Sequence, residues 1–185
     1  PEDGAFTLVQ WLLPDFPWEP ELLGGFLAFL EEHRRRHGEL TLVSYNGRSF
    51  DTPLLQTRLL MNGIPMEPPG QMDLLPLTRR LWSRTLENCS LGTVEQRVLG
   101  IAREMDLPSA LVPQRYFDYL RLGDPRVLDE VLAHHRQDVI SLLVLLSRLE
   151  MLIRGEEGLS WPAEPDPFQL RRLLLEERQI GRAHV

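Results

Sequence analysis

The spacing of hydrophobic residues along the chain predicts which segments are strands and which are helices. Residues 40–45 form a short apolar run typical of a buried strand, and residues 6–13 alternate in a way that indicates another strand. In residues 21–37 and 52–62, apolar side chains recur every three to four positions, which predicts amphipathic helices. A shorter run over residues 72–74 indicates a further short strand.

Capping residues predict where the remaining helices begin and end. Ser90 is a favourable N-cap, Gly100 and Gly123 are typical helix terminators, and Asp124-Pro125 combines an N-cap with proline in the first turn. We therefore predict helices over residues 75–84, 90–99, 113–122, 124 to about 135, 138–153 and 168–178, with the pair 124–135 and 138–153 either separate or continuous.

Composition limits the class of protein. The chain contains no uncharged apolar stretch of about 18 residues, so we expect no membrane span, and no signal peptide is visible. The single Cys89 excludes an internal disulfide and a cysteine zinc cluster, and a cytoplasmic location is the simplest expectation. A net charge of −7 argues against a protein that coats nucleic acid by bulk electrostatics.

The candidate chemistry lies in two short motifs. Asn46-Gly47-Arg48-Ser49-Phe50-Asp51 places a carboxylate where a strand ends and a helix begins, and His134 stands four residues before Asp138, on the same face of a predicted helix. Two carboxylates and a histidine in this arrangement are a candidate two-metal phosphodiester site. Each motif also has a structural explanation, because Asn-Gly is a turn dipeptide, Asp51 suits a helix start and His–Asp pairs are common on helix surfaces.

Taken together, these motifs resemble the second and third exonuclease motifs of the DEDD (DnaQ-like) superfamily, and more closely the YprB-type ribonuclease H-like domain. The resemblance covers about residues 5–150 in the family's order. It rests on residues 42–55, 72–75 with 79–82, 89–91 with Glu95 and 98–100, 116–120 with 123–124, and 134–142.

The resemblance implies an α/β fold of the ribonuclease H-like type, with a mixed sheet flanked by helices, and a metal-dependent 3′–5′ exonuclease. It implies two Mg²⁺ or Mn²⁺ ions held in part by Asp51 and Asp138, with His134 as the general base. The family usually has His-Asn where this chain has His134-His135, so His135 remains an alternative base. The substrate would be a nucleic-acid single strand or duplex end, contacted by Asn46, Gly47 and Phe50. Arg79 and Arg80 are candidate phosphate contacts on the following helix, with simple solvation of that helix face as the alternative.

The family's first motif, Asp-x-Glu at the end of the first strand, has no counterpart in this chain. We therefore expect a fold that is truncated at its N-terminus, lacking its first two strands, and inactive and weakly cooperative on its own. A non-catalytic module that binds nucleic acid or a protein partner is the alternative. DNA versus RNA and the oligomeric state stay open.

The predicted organisation is a partial ribonuclease H-like domain over residues 1–153, a linker over 154–167 and the start of a helical segment over 168–179. One reading frame of a common sequencing adapter encodes residues 180–185. We therefore expect these six residues to be a non-native tail.

Overall fold

The computed structural model describes residues 6–67, 69–103, 107–156 and 160–183, with side chains described as far as residue 176. In chain order, the main elements are α1 (Glu19–His37), β1 (Thr41–Ser44), α2 (Asp51–Met61), β2 (Gly70–Asp73), α3 (Leu74–Trp82), α4 (Leu91–Val94), α5 (Val112–Leu122), α6 (Asp129–Arg154) and α7 (Pro167–Ala183). Single turns of 3₁₀ helix occur at Phe16–Trp18, Ser109–Leu111 and Pro125–Leu128, and one π-helical turn occurs at Glu95–Leu99.

The chain divides into two units. The first comprises Pro1–Leu42, Arg48–Gln71 and Met105–Gln137, and the second Val43–Gly47, Met72–Glu104 and Asp138–Val185.

The strand predicted over residues 40–45 is confirmed as β1, which pairs in parallel with β2. β2 begins two residues earlier than the predicted 72–74. Gly70 stands at its start, where an added Cβ would lie 3.3 Å from both the Leu40 carbonyl oxygen and the Thr41 hydroxyl. This close approach of two backbones explains the glycine, and a glycine is a poor signal for a strand in sequence.

The strand predicted over residues 6–13 is wrong, because these residues adopt no strand pairing in the structure. They run as an irregular segment in the first unit. The Gln10 amide donates to the Leu132 carbonyl (2.9 Å), and the Trp11 ring packs edge-on against Phe26 and Phe29. Alternation alone cannot make a strand, since a strand also needs a neighbour for its backbone groups.

Helix ends follow the predicted capping chemistry. The Ser90 hydroxyl accepts from the Thr93 amide, and the Asp124 carboxylate accepts from the Arg126 amide. Gly123 ends α5 in the left-handed conformation at φ 68°. The helix predicted over residues 90–99 is correct in its limits, but its second half widens into the π turn. Residues 125–128 form a 3₁₀ turn, and α6 then runs unbroken from Asp129 to Arg154. Of the two alternatives for 124–135 and 138–153, the continuous one is therefore correct from Asp129 onward.

The core of the second unit is built from large apolar side chains of α3, the Val94–Leu99 region, α6 and the segments that follow it. Trp82 is fully buried and its ring centroid lies 5.4 Å from that of Trp161, while Leu145 and Leu173 pack in the same cluster. Leu173 of α7 therefore belongs to this core, and Leu170 packs against it. The periodicity was visible in the sequence, but its partner surface was not.

Candidate functional site

Two hydrogen bonds connect the loop between β1 and α2 to β2. One lies within the second unit and the other within the first. In the second unit, the Asn46 amide donates to Asp73 Oδ1 (2.8 Å), and Asn46 has φ 68°, the only positive φ of a described residue other than glycine. In the first unit, Arg48 Nη2 donates to the Gln71 carbonyl (3.0 Å). The loop therefore starts α2 from a defined position, and Asn46 suits its left-handed turn.

Asp51 is the first residue of α2 and its side chain is exposed. The N-terminus of a helix carries partial positive charge, which stabilises a carboxylate there. The neighbouring Phe50 is 64% exposed, and Asn46 is exposed as well, whereas Gly47 is buried. Asp51 thus presents oxygen atoms to solvent beside an uncovered aromatic ring.

The Asp73 side chain stabilises the local backbone. Its Oδ1 accepts from both the Asn46 and Leu75 amides, so this one carboxylate caps α3 and holds the loop after β1.

Nearby, the Tyr45 hydroxyl donates to the Cys89 carbonyl (2.7 Å). Burial raises the pKa of the Tyr45 phenol and also the pKa of the Cys89 thiol. A raised thiol pKa disfavours the thiolate, so Cys89 is poorly suited as a nucleophile.

The three candidate residues of the second motif lie on α6. His134 and Asp138 are one helical turn apart on this continuous helix, and both are partly buried. His135 is exposed, and its Nδ1 lies 3.0 Å from the Gln10 amide nitrogen. Because an amide nitrogen donates, Nδ1 of His135 is the acceptor in this contact.

Asp138 makes an ion pair that the motif did not predict. Arg103 donates from Nη2 to Asp138 Oδ1 (2.6 Å) and from Nε to Glu95 Oε2. Burial lowers the pKa of Arg103, but the bonds to Glu95 and Asp138 outweigh it and the net pKa is raised. Glu95 and Arg103 were missed as site residues. The available signal was Glu95 itself, which stands between the apolar residues Val94 and Val98. All three side chains are fully buried, and a buried carboxylate requires a partner.

The candidate phosphate-contacting arginines on α3 differ in their surroundings. Arg79 is exposed. Arg80 is partly buried and donates from Nη1 to Glu176 Oε2 of α7 (2.7 Å). A guanidinium that already pairs with a carboxylate is less available for a phosphate, so Arg79 is the better placed of the two.

The described residues contain no group of three or more His, Cys, Asp or Glu side chains arranged to hold a metal ion. The donor types nevertheless suit a hard divalent cation, because Asp51 and Asp138 supply carboxylate oxygens and both are accessible to solvent. Glu95 Oε1 is buried and accepts no hydrogen bond from the residues that the structure describes. Within the described part of the chain, no helix is both long and apolar enough to cross a membrane.

Comparison with known proteins decides the family. The family model RNase_H_2, described as RNase_H superfamily, matches residues 2–150. The chain belongs to the RNase H superfamily. It is mostly helical with a small parallel sheet, and the α/β ribonuclease H-like class expected from the motifs is confirmed.

A curated relative in Bacillus subtilis (strain 168), named "Uncharacterized protein YprB", is 38% identical over 157 residues. The alignment covers 83% of this chain and 36% of that protein, so this RNase H-like chain spans about a third of its relative's length. The resemblance to the YprB-type domain is thus confirmed. No solved structure matches the chain.

Proposed function

We propose that this RNase H-like chain is the larger part of a DEDD-type exonuclease domain that hydrolyses nucleic-acid phosphodiester bonds from the 3′ end. The observation that supports it most directly is the His134–Asp138 pair on one continuous helix, within a chain that belongs to the RNase H superfamily. Asp51 at the start of α2 is the second motif carboxylate and is open to solvent.

In this proposal, Asp51 and Asp138 hold Mg²⁺ or Mn²⁺ through carboxylate oxygens. Two such ions, when bound, activate water and stabilise charge on the leaving oxygen. His134 takes the proton from the attacking water, since the unprotonated nitrogen of a neutral imidazole can accept it. Asn46, Gly47 and Phe50 contact the nucleic-acid end, with Phe50 stacking on a base, and Arg79, with Arg80 beside it, approaches the backbone phosphates.

The chain has no Asp-x-Glu, so we propose that these two carboxylates come from a preceding segment of a longer protein. The isolated 185-residue chain is then expected to lack Mn²⁺-dependent nuclease activity. Robust cleavage by this chain that EDTA abolishes would contradict this part of the proposal.

The test uses the full-length protein with 5′-labelled single strands and duplexes of DNA and RNA. We expect a ladder of products shortened from the 3′ end that requires Mg²⁺ or Mn²⁺. Asp51→Asn and Asp138→Asn each remove a charged ligand and should lower the rate by several orders of magnitude. Asp129→Asn is the matched control, because Asp129 is an exposed residue in the first turn of the same α6 helix. Unchanged activity in EDTA, or in Asp138→Asn, would rule out the metal mechanism.

One observation favours a non-catalytic alternative. The Asp138 carboxylate already has a cationic partner in Arg103, which opposes binding of a second cation. A module of this kind would bind nucleic acid or a protein partner without cleaving it. It predicts that the full-length protein retards labelled single strands equally with and without Mn²⁺ and releases no mononucleotides.

A further inference from the structure

Three charged side chains in the second unit form a connected row from the interior to the surface. The Glu95 side chain is fully buried, Arg103 is 15% exposed and Asp138 is 32% exposed. The guanidinium joins the other two, through Nε to Glu95 and through Nη2 to Asp138. Asp138 is therefore held from its buried side while part of its side chain faces solvent.

The local backbone brings Arg103 back to Glu95. Within the π turn that starts at Glu95, its carbonyl accepts from the Gly100 amide and also from the Ile101 amide (2.9 Å), which reverses the chain after the turn. The guanidinium then lies over Gly92, where an added Cβ would stand 3.7 Å from Arg103 Nε. Isolated π turns occur frequently at functional sites, and here the turn sets the position of a guanidinium.

Stability alone is a weak explanation for this row. A buried ion pair is often no more stabilising than apolar side chains of similar volume. In addition, Glu95 Oε1 finds no hydrogen-bond donor in the described part of the chain. An unpaired buried acceptor keeps the full cost of its lost hydration. The bond from Arg103 restricts the orientation of the Asp138 side chain, and hydrogen bonds of this kind orient carboxylates that hold a metal.

We propose that Arg103, anchored by the buried Glu95, is a positioning residue that orients the Asp138 carboxylate for a divalent cation. The inference rests on the proposed function, because it takes Asp138 as a metal ligand. Arg103 has two opposing effects on cation binding. Its positive charge repels the cation, but its hydrogen bond orders the Asp138 carboxylate before the cation binds and so lowers the entropy cost of binding. The gain from an ordered ligand outweighs the repulsion between Arg103 and the cation.

The decisive variant is Glu95→Leu combined with Arg103→Met in the full-length protein. It removes one negative and one positive charge, so net charge is unchanged, and it replaces the pair by apolar side chains that can pack. Mn²⁺ affinity is measured by electron paramagnetic resonance of the free ion, and folding by thermal melting. We expect a melting temperature at or above that of the wild type, with the Mn²⁺ dissociation constant raised roughly 10–100-fold.

Two further variants complete the design. Arg103→Lys keeps the positive charge but lacks the planar guanidinium that donates to both the Glu95 and Asp138 carboxylates. It should therefore also raise the Mn²⁺ dissociation constant, by about tenfold or more. It covers the case in which the double variant fails to fold. The matched control is Glu87→Leu with Arg97→Met, an exposed pair 4.0 Å apart in the same unit, which should leave Mn²⁺ binding unchanged.

The outcomes separate this inference from the proposed function. The first outcome is that Asp138→Asn loses Mn²⁺ binding while the double variant and Arg103→Lys bind Mn²⁺ as tightly as the wild type or more tightly. This result overturns only the positioning role of Arg103. Absence of Mn²⁺ binding in the wild type, or binding that Asp138→Asn does not change, overturns both. Weakened binding in Asp138→Asn, the double variant and Arg103→Lys, with the exposed-pair control unchanged, supports both.

Discussion

Trp161 lies in the segment that the sequence predicts to be a linker, and replacing it tests whether that segment belongs to the folded core. The Trp161 ring is 6% exposed, lies 5.4 Å from the Trp82 ring and has the Arg148 guanidinium 5.5 Å from its centroid. The indole of Trp82 also donates to the Ala163 carbonyl (3.0 Å). A flexible linker would make none of these contacts.

The cost of Trp161→Ala can be worked from this burial. A buried tryptophan removes on the order of 150–250 Å² from water, which at about 25 cal/mol per Å² is worth ~4–6 kcal/mol. Alanine retains a small part of that burial, and large-to-small core changes of this kind cost about 3–5 kcal/mol. Loss of the contact with Arg148 adds about 0.5–1 kcal/mol. The sum is a large fraction of the ~5–15 kcal/mol by which domains are stable.

The assay is guanidinium denaturation of the 185-residue chain followed by far-ultraviolet circular dichroism, which does not depend on tryptophan emission. Trp18→Ala is the control, because Trp18 is 56% exposed and its replacement should cost about 1 kcal/mol or less. If Trp161→Ala shifts the denaturation midpoint no more than Trp18→Ala does, the segment does not pack on the core and the linker prediction stands.

In the full-length protein, His134→Ala should lower the rate of cleavage about 10²–10⁴-fold while His135→Ala leaves it near the wild-type value; loss of activity with the His135 change alone would reverse the assignment. Tyr45→Phe should cost about 1 kcal/mol in denaturation, since the Cys89 carbonyl loses its donor. Burial raises the pKa of Tyr45 above its ordinary 10.0, so the stability that its neutral form contributes is complete below pH 10.0 and is lost as the pH rises beyond it. The Phe variant should therefore lose less stability above that pH, and an identical alkaline profile would contradict the buried phenol. Asn46→Gly should keep stability because glycine accepts φ 68°, whereas Asn46→Val should cost about 1–2 kcal/mol; weaker nucleic-acid binding by the stable Gly variant would assign the side chain a binding role.

Local chemistry accounts for what the sequence could predict of the fold. The limits of α5 and of the helix through Leu99 follow from Gly123, Ser90 and Gly100, whose effects act within a few residues. The apolar run that became β1 and the His134–Asp138 spacing on α6 are likewise properties of short stretches. Asp51 was placed correctly at a helix start for the same reason.

The sequence by itself determined the limits of α5 and of the helix through Leu99, the strand β1 and the two motifs that point to the RNase H superfamily. Tertiary structure decided what depends on partners far along the chain: that residues 6–13 pack against helices instead of pairing as a strand, that Trp161 and Leu173 are buried, and that Asp138 is tied through Arg103 to Glu95. Strand pairing, core burial and ion pairing each need two surfaces to meet. Hydrophobic periodicity shows which face of a segment is apolar, but it does not show which other segment packs against that face. The packing partner is decided only when the chain folds.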